Sequence, residues 1–117
     1  MSKSIIKDKT FSFAVKTVDM YKNLKDSKRE YVMSKQILKS GTSIGANVRE
    51  ALNAESINDF IHKLSIAQKE CDETLYWLEL LYKSEYINES EFMEYKNECD
   101  EILKVIKSII LSTKNKL

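Results

Sequence analysis

Apolar residues recur at three- and four-residue spacing along nearly the whole chain, the period of an α-helix with one buried face. Capping and turn residues divide that pattern into four segments. The first predicted helix spans about 8–24. On it Phe11, Ala14, Val15, Val18 and Tyr21 form one stripe, and Phe13, Met20 and Leu24 form a second. A single seam needs one stripe, so the second is expected at an interface outside the monomer's own core. Lys25-Asp26-Ser27-Lys28 interrupts the pattern, and Ser27 with Glu30 reads as a capping box opening a second helix over 28–52. Its apolar positions are Tyr31, Met33, Ile37, Leu38, Ile44, Val48 and Ala51.

Ser56 reads as the N-cap of a third helix over 57–83, with Asp59 near its positive end. Ile57, Ile61, Leu64, Gln68, Cys71, Leu75, Leu78 and Tyr82 alternate four and three apart, a bundle seam. Phe60, Ala67, Thr74 and Leu81 widen it. Trp77 and Leu80 lie off this seam and join Phe13, Met20 and Leu24 as the candidate oligomer interface. Asn88 and Glu91 cap a fourth helix over 89–113, whose seam is Phe92, Tyr95, Cys99, Ile102, Ile106 and Ile109. Short connections between long helices make neighbours antiparallel. The expectation is an all-α, up-down-up-down four-helix bundle, one domain over 1–117.

Composition narrows the fold further. The 117 residues contain no proline and only two glycines, which leaves no turn chemistry for a β-sandwich or barrel. Two cysteines, Cys71 and Cys99, have no metal or redox spacing. They fall at similar depth on neighbouring helices, as small hydrophobes of a core layer or as a thiol pair. No apolar run approaches the roughly 20 residues that span a membrane, and Met1–Thr10 has no secretory pattern. A reducing cytoplasm is the expected location.

Charge changes the picture through its distribution. Residues 1–39 carry ten Lys/Arg and four Asp/Glu; residues 40–101 carry five and fourteen; residues 102–117 carry four and none. The formal total is only +1, so no global field marks a nucleic-acid binder. Lys22, Lys25, Lys28, Arg29, Lys35 and Lys39 surround the first turn and are the candidate surface for an anionic partner. Lys104, Lys107, Lys114 and Lys116 form a second basic region at the opposite end.

Catalytic chemistry finds no foothold. A carboxylate-bridged di-iron bundle needs two histidines, each three residues after a carboxylate; Asp59 and His62 have that spacing, but His62 is the only histidine. A Ser-His-Asp or Cys-His site would have to use the same residue, which sits off the seam. Gly41-x-x-x-Gly45 lacks the Lys-Ser/Thr of a phosphate loop. No catalytic, cofactor-binding or metal-ligating residue is assigned, and the chain is expected not to be an enzyme.

Residues 36–51, QILKSGTSIGANVREA, stand out. Two glycines inside a helical pattern cost about 1 kcal/mol each relative to alanine. Either the helix breaks, or another backbone comes so close that side chains at Gly41 and Gly45 would clash. Ser43, Asn47 and Glu50 share one face, and helix three offers Gln68, Glu70 and Glu73 at comparable depth. They make a polar site or an internal hydrogen-bond network fixing helix register; the network is the reading adopted.

SGTSIGANVREA at 40–51 and DFIHKLSIAQKECDETLYWLELL at 59–81 resemble the four-helix bundle protein family linked to intervening sequences in bacterial 23S ribosomal RNA genes. The resemblance extends to FAVK at 13–16, Gln36, Asp59-Phe60, Ile66-Ala67 and Glu73. It implies a short bacterial bundle, commonly a ring of five subunits, with no established enzymatic activity. A related branch, the accessory variability determinants of diversity-generating retroelements, consists of basic pentamers that bind nucleic acid; the near-neutral charge here departs from it. The expected function is a self-associating scaffold or adaptor, with an RNA-binding accessory protein as the alternative.

Overall fold

The computed structural model describes residues 3–117, which form four helices: α1 Lys3–Asp26, α2 Met33–Leu52, α3 Ile57–Lys83 and α4 Glu89–Asn115. Among the described residues there is no strand. The molecule is a rod of 48 × 22 × 19 Å. Cross-helix contacts set its order. Thr10 lies against Gly45 and Thr17 against Gly41. Ser40 meets Thr74 and Glu50 meets Lys63. Cys71 meets Cys99, and Tyr82 stacks on Phe92 at 4.6 Å between centroids. Lys9 pairs with Glu101, and Lys16 with Glu94. In every set residue numbers rise along one helix as they fall along its neighbour.

α3 starts where the sequence places it, because Ser56 accepts from the Asp59 amide at 3.0 Å. Asn88 and Glu91 close a reciprocal capping box at the start of α4. α2 differs from expectation. It begins at Met33 rather than 28, and Ser27 caps nothing. The chain instead closes behind α1, with Arg29 at φ 54° and the Glu30 amide donating to the Leu24 carbonyl at 2.9 Å. The buried Glu30 carboxylate then takes the Val32 and Ser34 amides at 3.1 and 2.6 Å, and the Ser34 hydroxyl returns a bond to the Glu30 carbonyl. Glu30 thus serves α2 as its cap from three residues before the helix.

The core face of α1 is the second correction. Phe13, Met20 and Leu24, expected at an oligomer interface, are 1%, 5% and 0% exposed. They belong to the row Ile6, Thr10, Phe13, Thr17, Met20, Leu24, spaced four and three apart and buried throughout. The two threonines disguise that row as polar. Their hydroxyls donate to the Ile6 and Phe13 carbonyls at 2.8 Å each, so burial leaves no donor unmet. The row also carries α1 back to Lys3, five residues before the expected start. Two apolar layers stack along the rod, one around Phe13, Ile44, Cys71 and Ile106, the other around Leu24, Ile37, Leu78 and Leu81. Each fully buried side chain of this size contributes about 1.5–3 kcal/mol.

Candidate functional site

α2 runs unbroken through Gly41 and Gly45, so close approach, rather than a break, explains both glycines. A Cβ on Gly41 would lie 2.6 Å from Thr17 Cγ2 and 2.8 Å from its Oγ1. One on Gly45 would lie 3.2 Å from the Thr10 carbonyl oxygen, which is backbone. α1 and α2 therefore pack nearly main chain to main chain at these positions.

That close seam leaves a shallow apolar groove of about 470 Å³ on the outer surface. Phe11 and Ala14 of α1 form one wall; Thr42, Gly45, Ala46 and Arg49 of α2 form the floor and the other wall. Phe11 is 57% exposed and Val15, one turn on, 47% exposed. The Arg49 guanidinium lies 5.6 Å from the Phe11 ring centroid, a cation–π contact at the rim. Of the α1 stripe read as core, Phe11 and Val15 thus face outward, and Phe11 with Ala14 forms the groove wall. Trp77 and Leu80 are half-buried; Trp77 packs on the Leu78–Leu81 layer and donates its indole N–H to Glu73 at 3.1 Å.

The expected network between Ser43, Asn47, Glu50 and Gln68, Glu70, Glu73 does not form. The Ser43 hydroxyl donates to the Lys39 carbonyl at 2.6 Å, and the Asn47 amide to the Ser43 carbonyl at 2.8 Å, both within α2. Glu50 is exposed and reaches across to Lys63 at 3.0 Å, holding that ammonium above its usual pKa. Partial burial, reinforced by the neighbouring Glu73 charge, raises the Glu70 pKa against the opposing pull of Lys39. The buried polar contact between α2 and α3 lies one position off the expected stripe, where the Ser40 and Thr74 hydroxyls meet at 2.9 Å. Small hydroxyls fit a core layer that carboxylates would leave for water.

The cysteines fill the core. Both are fully buried, and the Cys99 thiol donates to the Cys71 carbonyl at 3.6 Å. The neighbouring Cys99 side chain and the surrounding burial push the Cys71 thiol's pKa upward, which keeps the group a thiol. α4 is tied to α1 by longer reaches. Lys16 pairs with Glu94 and Glu98 and lies over the Tyr95 ring, whose hydroxyl donates to the Lys16 carbonyl at 2.7 Å. Desolvation works to lower the Lys16 pKa, but the two carboxylates outweigh it and hold it above normal. Burial pushes Tyr95 up to about 12.

The basic cluster is present at the α1–α2 turn. Lys25 reaches Asp26 at 3.8 Å and covers the Tyr21 ring. Among the described residues, Lys22, Lys28, Arg29, Lys35 and Lys39 have no carboxylate within ion-pair distance. His62 is exposed on α3. No group of three or more His, Cys, Asp or Glu among the described residues could hold a metal ion. Among the described residues, no helix is long and apolar enough to cross a membrane.

Four packed helices with a grooved apolar face and an unpaired basic turn define a small all-α bundle protein. The model of the 23S rRNA-intervening sequence proteins matches residues 2–108, and the chain belongs to that family. A crystal structure of a protein of unknown function from the S23 ribosomal protein family of Bacteroides thetaiotaomicron is similar, with a TM-score of 0.93. It is 54% identical, over 94% of this chain and 98% of that one. Curated proteins yield no match.

Proposed function

We propose that this protein is a non-enzymatic, self-associating scaffold or adaptor, an up-down-up-down bundle that closes into a cytoplasmic ring. The exposed Phe11–Val15 stripe beside the α1–α2 groove carries this reading. Large apolar side chains exposed side by side, one helical turn apart, favour burial against another surface. Closed cyclic symmetry buries that surface in every copy, whereas an open arrangement propagates into filaments. The number five comes from the family resemblance. Light scattering of the wild type and of the Phe11→Ser/Val15→Ser variant tests the proposal. A multiple of the 13.6 kDa chain mass that falls to 13.6 kDa in the variant supports it. Equal masses for the two proteins contradict it.

The unpaired cations at the α1–α2 turn favour a second reading, an RNA-binding accessory protein. Lys22, Lys28, Arg29 and Lys35 are all exposed, lie close together around one turn and have no ion-pair partner among the described residues, whereas Lys9, Lys63 and Lys96 each pair with a carboxylate. Such a cluster suits phosphates, whose binding weakens steeply with salt as counterions are released. Retention of a structured RNA at low salt, lost at high salt and in the four-residue Gln variant, supports this reading. No retention at low salt overturns it.

A further inference from the structure

Charge divides this bundle by hairpin. Residues 1–52, which hold α1 and α2, carry eleven Lys/Arg against five Asp/Glu, a net +6. Residues 53–117, which hold α3 and α4, carry eight against thirteen, a net −5, with all thirteen acids within 53–101. The apolar groove lies on the basic side, with Lys7 and Arg49 at its rim. Glu50 also lines the groove, but its carboxylate is paired with Lys63 at 3.0 Å, which leaves Lys7 and Arg49 as the charges there without an ion-pair partner among the described residues.

The acidic side carries its own apolar projection. Tyr76 of α3 is 58% exposed, and its ring is braced edge-on by Trp77 at 5.0 Å. Its helical neighbours at three and four residues are Asp72, Glu73, Glu79 and Leu80, three of them acids. The groove thus offers an apolar slot with a cationic rim, and Tyr76 an apolar knob with an anionic rim.

A face that paired with its own copy across a two-fold axis would set Lys7 and Arg49 against Lys7 and Arg49. Like charges opposed at an interface cost free energy, while opposite ones steer and hold the partners. We propose that the α1–α2 groove around Phe11 receives the Tyr76 face of α3 from a second copy. This rests on the self-association reading and adds to it both halves of the contact. The interface is heterologous: each copy offers one groove and one knob, so the contact repeats from copy to copy until it closes.

Two variants test the pairing while leaving the sign of each rim unchanged: Phe11→Lys, which disables the groove, and Tyr76→Glu, which disables the knob. Both positions are exposed, and circular dichroism confirms that each variant is folded. Sedimentation velocity is run on the wild type, on each variant, and on an equimolar mixture. The expected pattern is an assembled wild type, two monomeric variants, and a mixture that forms a two-chain species. In that species the intact groove of the Tyr76→Glu chain holds the intact knob of the Phe11→Lys chain. Raising the salt concentration is expected to shift it toward monomer. An assembled wild type with a Tyr76→Glu variant that assembles equally well overturns the pairing and leaves self-association standing. Two monomeric variants that do not combine overturn it as well. A monomeric wild type overturns both readings.

Discussion

Thr17 occupies the space that a side chain at Gly41 would need: a Cβ there would stand 2.6 Å from Thr17 Cγ2. Helix propensity alone favours alanine at this position by about 1 kcal/mol. The clash reverses the sign, since overpacking a closed seam costs typically 1–3 kcal/mol. Gly41→Ala is therefore expected to lower the urea midpoint. Adding Thr17→Ala, which removes both of the nearest atoms, is expected to restore part of the loss. At Gly45 the obstacle is the Thr10 backbone, so no side-chain truncation on α1 is expected to rescue Gly45→Ala.

The turn after α3 holds a non-glycine residue in a left-handed conformation. Glu85 has φ 66°, the Tyr86 amide donates to the Leu81 carbonyl at 2.9 Å, and the Glu85 amide donates to that of Tyr82 at 3.0 Å. This double closure usually carries glycine at the left-handed position. Glu85→Gly is expected to raise thermal stability by about 0.5–1 kcal/mol, by relief of backbone strain. A fall in melting temperature would mean that the Glu85 side chain contributes more than the backbone costs.

Glu30 holds the start of α2 through the Val32 and Ser34 amides. Glu30→Ala removes that cap and is expected to destabilise the fold by about 1–2 kcal/mol. Amide hydrogen exchange should accelerate first at Val32 and Ser34, while amides in the middle of α3 keep their relative protection. Uniform acceleration would point to a global role instead.

Tyr95 gives the fold an alkaline limit. Burial raises its folded pKa to about 12 from the ordinary 10.0. A raised folded pKa means that the stabilisation is complete below the unfolded value and disappears as pH climbs through the folded one. Stability is expected to hold up to about pH 10 and then to fall toward pH 12. Of the six tyrosines, this one should ionise late in a phenolate absorbance titration. Tyr95→Phe should remove the late step and flatten the decline; a late step that persists would assign it to another tyrosine.

What the sequence disclosed followed from the chemistry each residue displays. α3 was legible to both ends because its apolar rows are unbroken and Ser56 is a plain cap. The close approach at Gly41 and Gly45 was legible because glycine inside a helix needs a reason. The buried face of α1 was hidden, since Thr10 and Thr17 look polar until their hydroxyls are seen bonded to α1's own carbonyls. The two stripes of α1 therefore exchange roles: Phe13, Met20 and Leu24 face the core, and Phe11 and Val15 face outward. Ser27 and Glu30 have capping-box spacing, but the left-handed Arg29 between them sends the Glu30 carboxylate forward to Val32 and Ser34 instead. Of the Ser43–Asn47–Glu50 stripe, only Glu50 reaches α3, at Lys63, while Ser43 and Asn47 bond within α2. The absence of bonds from Ser43 and Asn47 to α3 is not legible in the sequence, because spacing along one helix does not fix its rotation against the next.

Self-association through the outward face of α1 is the central claim, and the mass of the wild-type particle tests it most directly. Sedimentation equilibrium at dilute protein and moderate salt is expected to give about five times the 13.6 kDa chain mass. A single species at 13.6 kDa over the whole concentration range would contradict the claim, leaving Phe11 and Val15 exposed on a monomer.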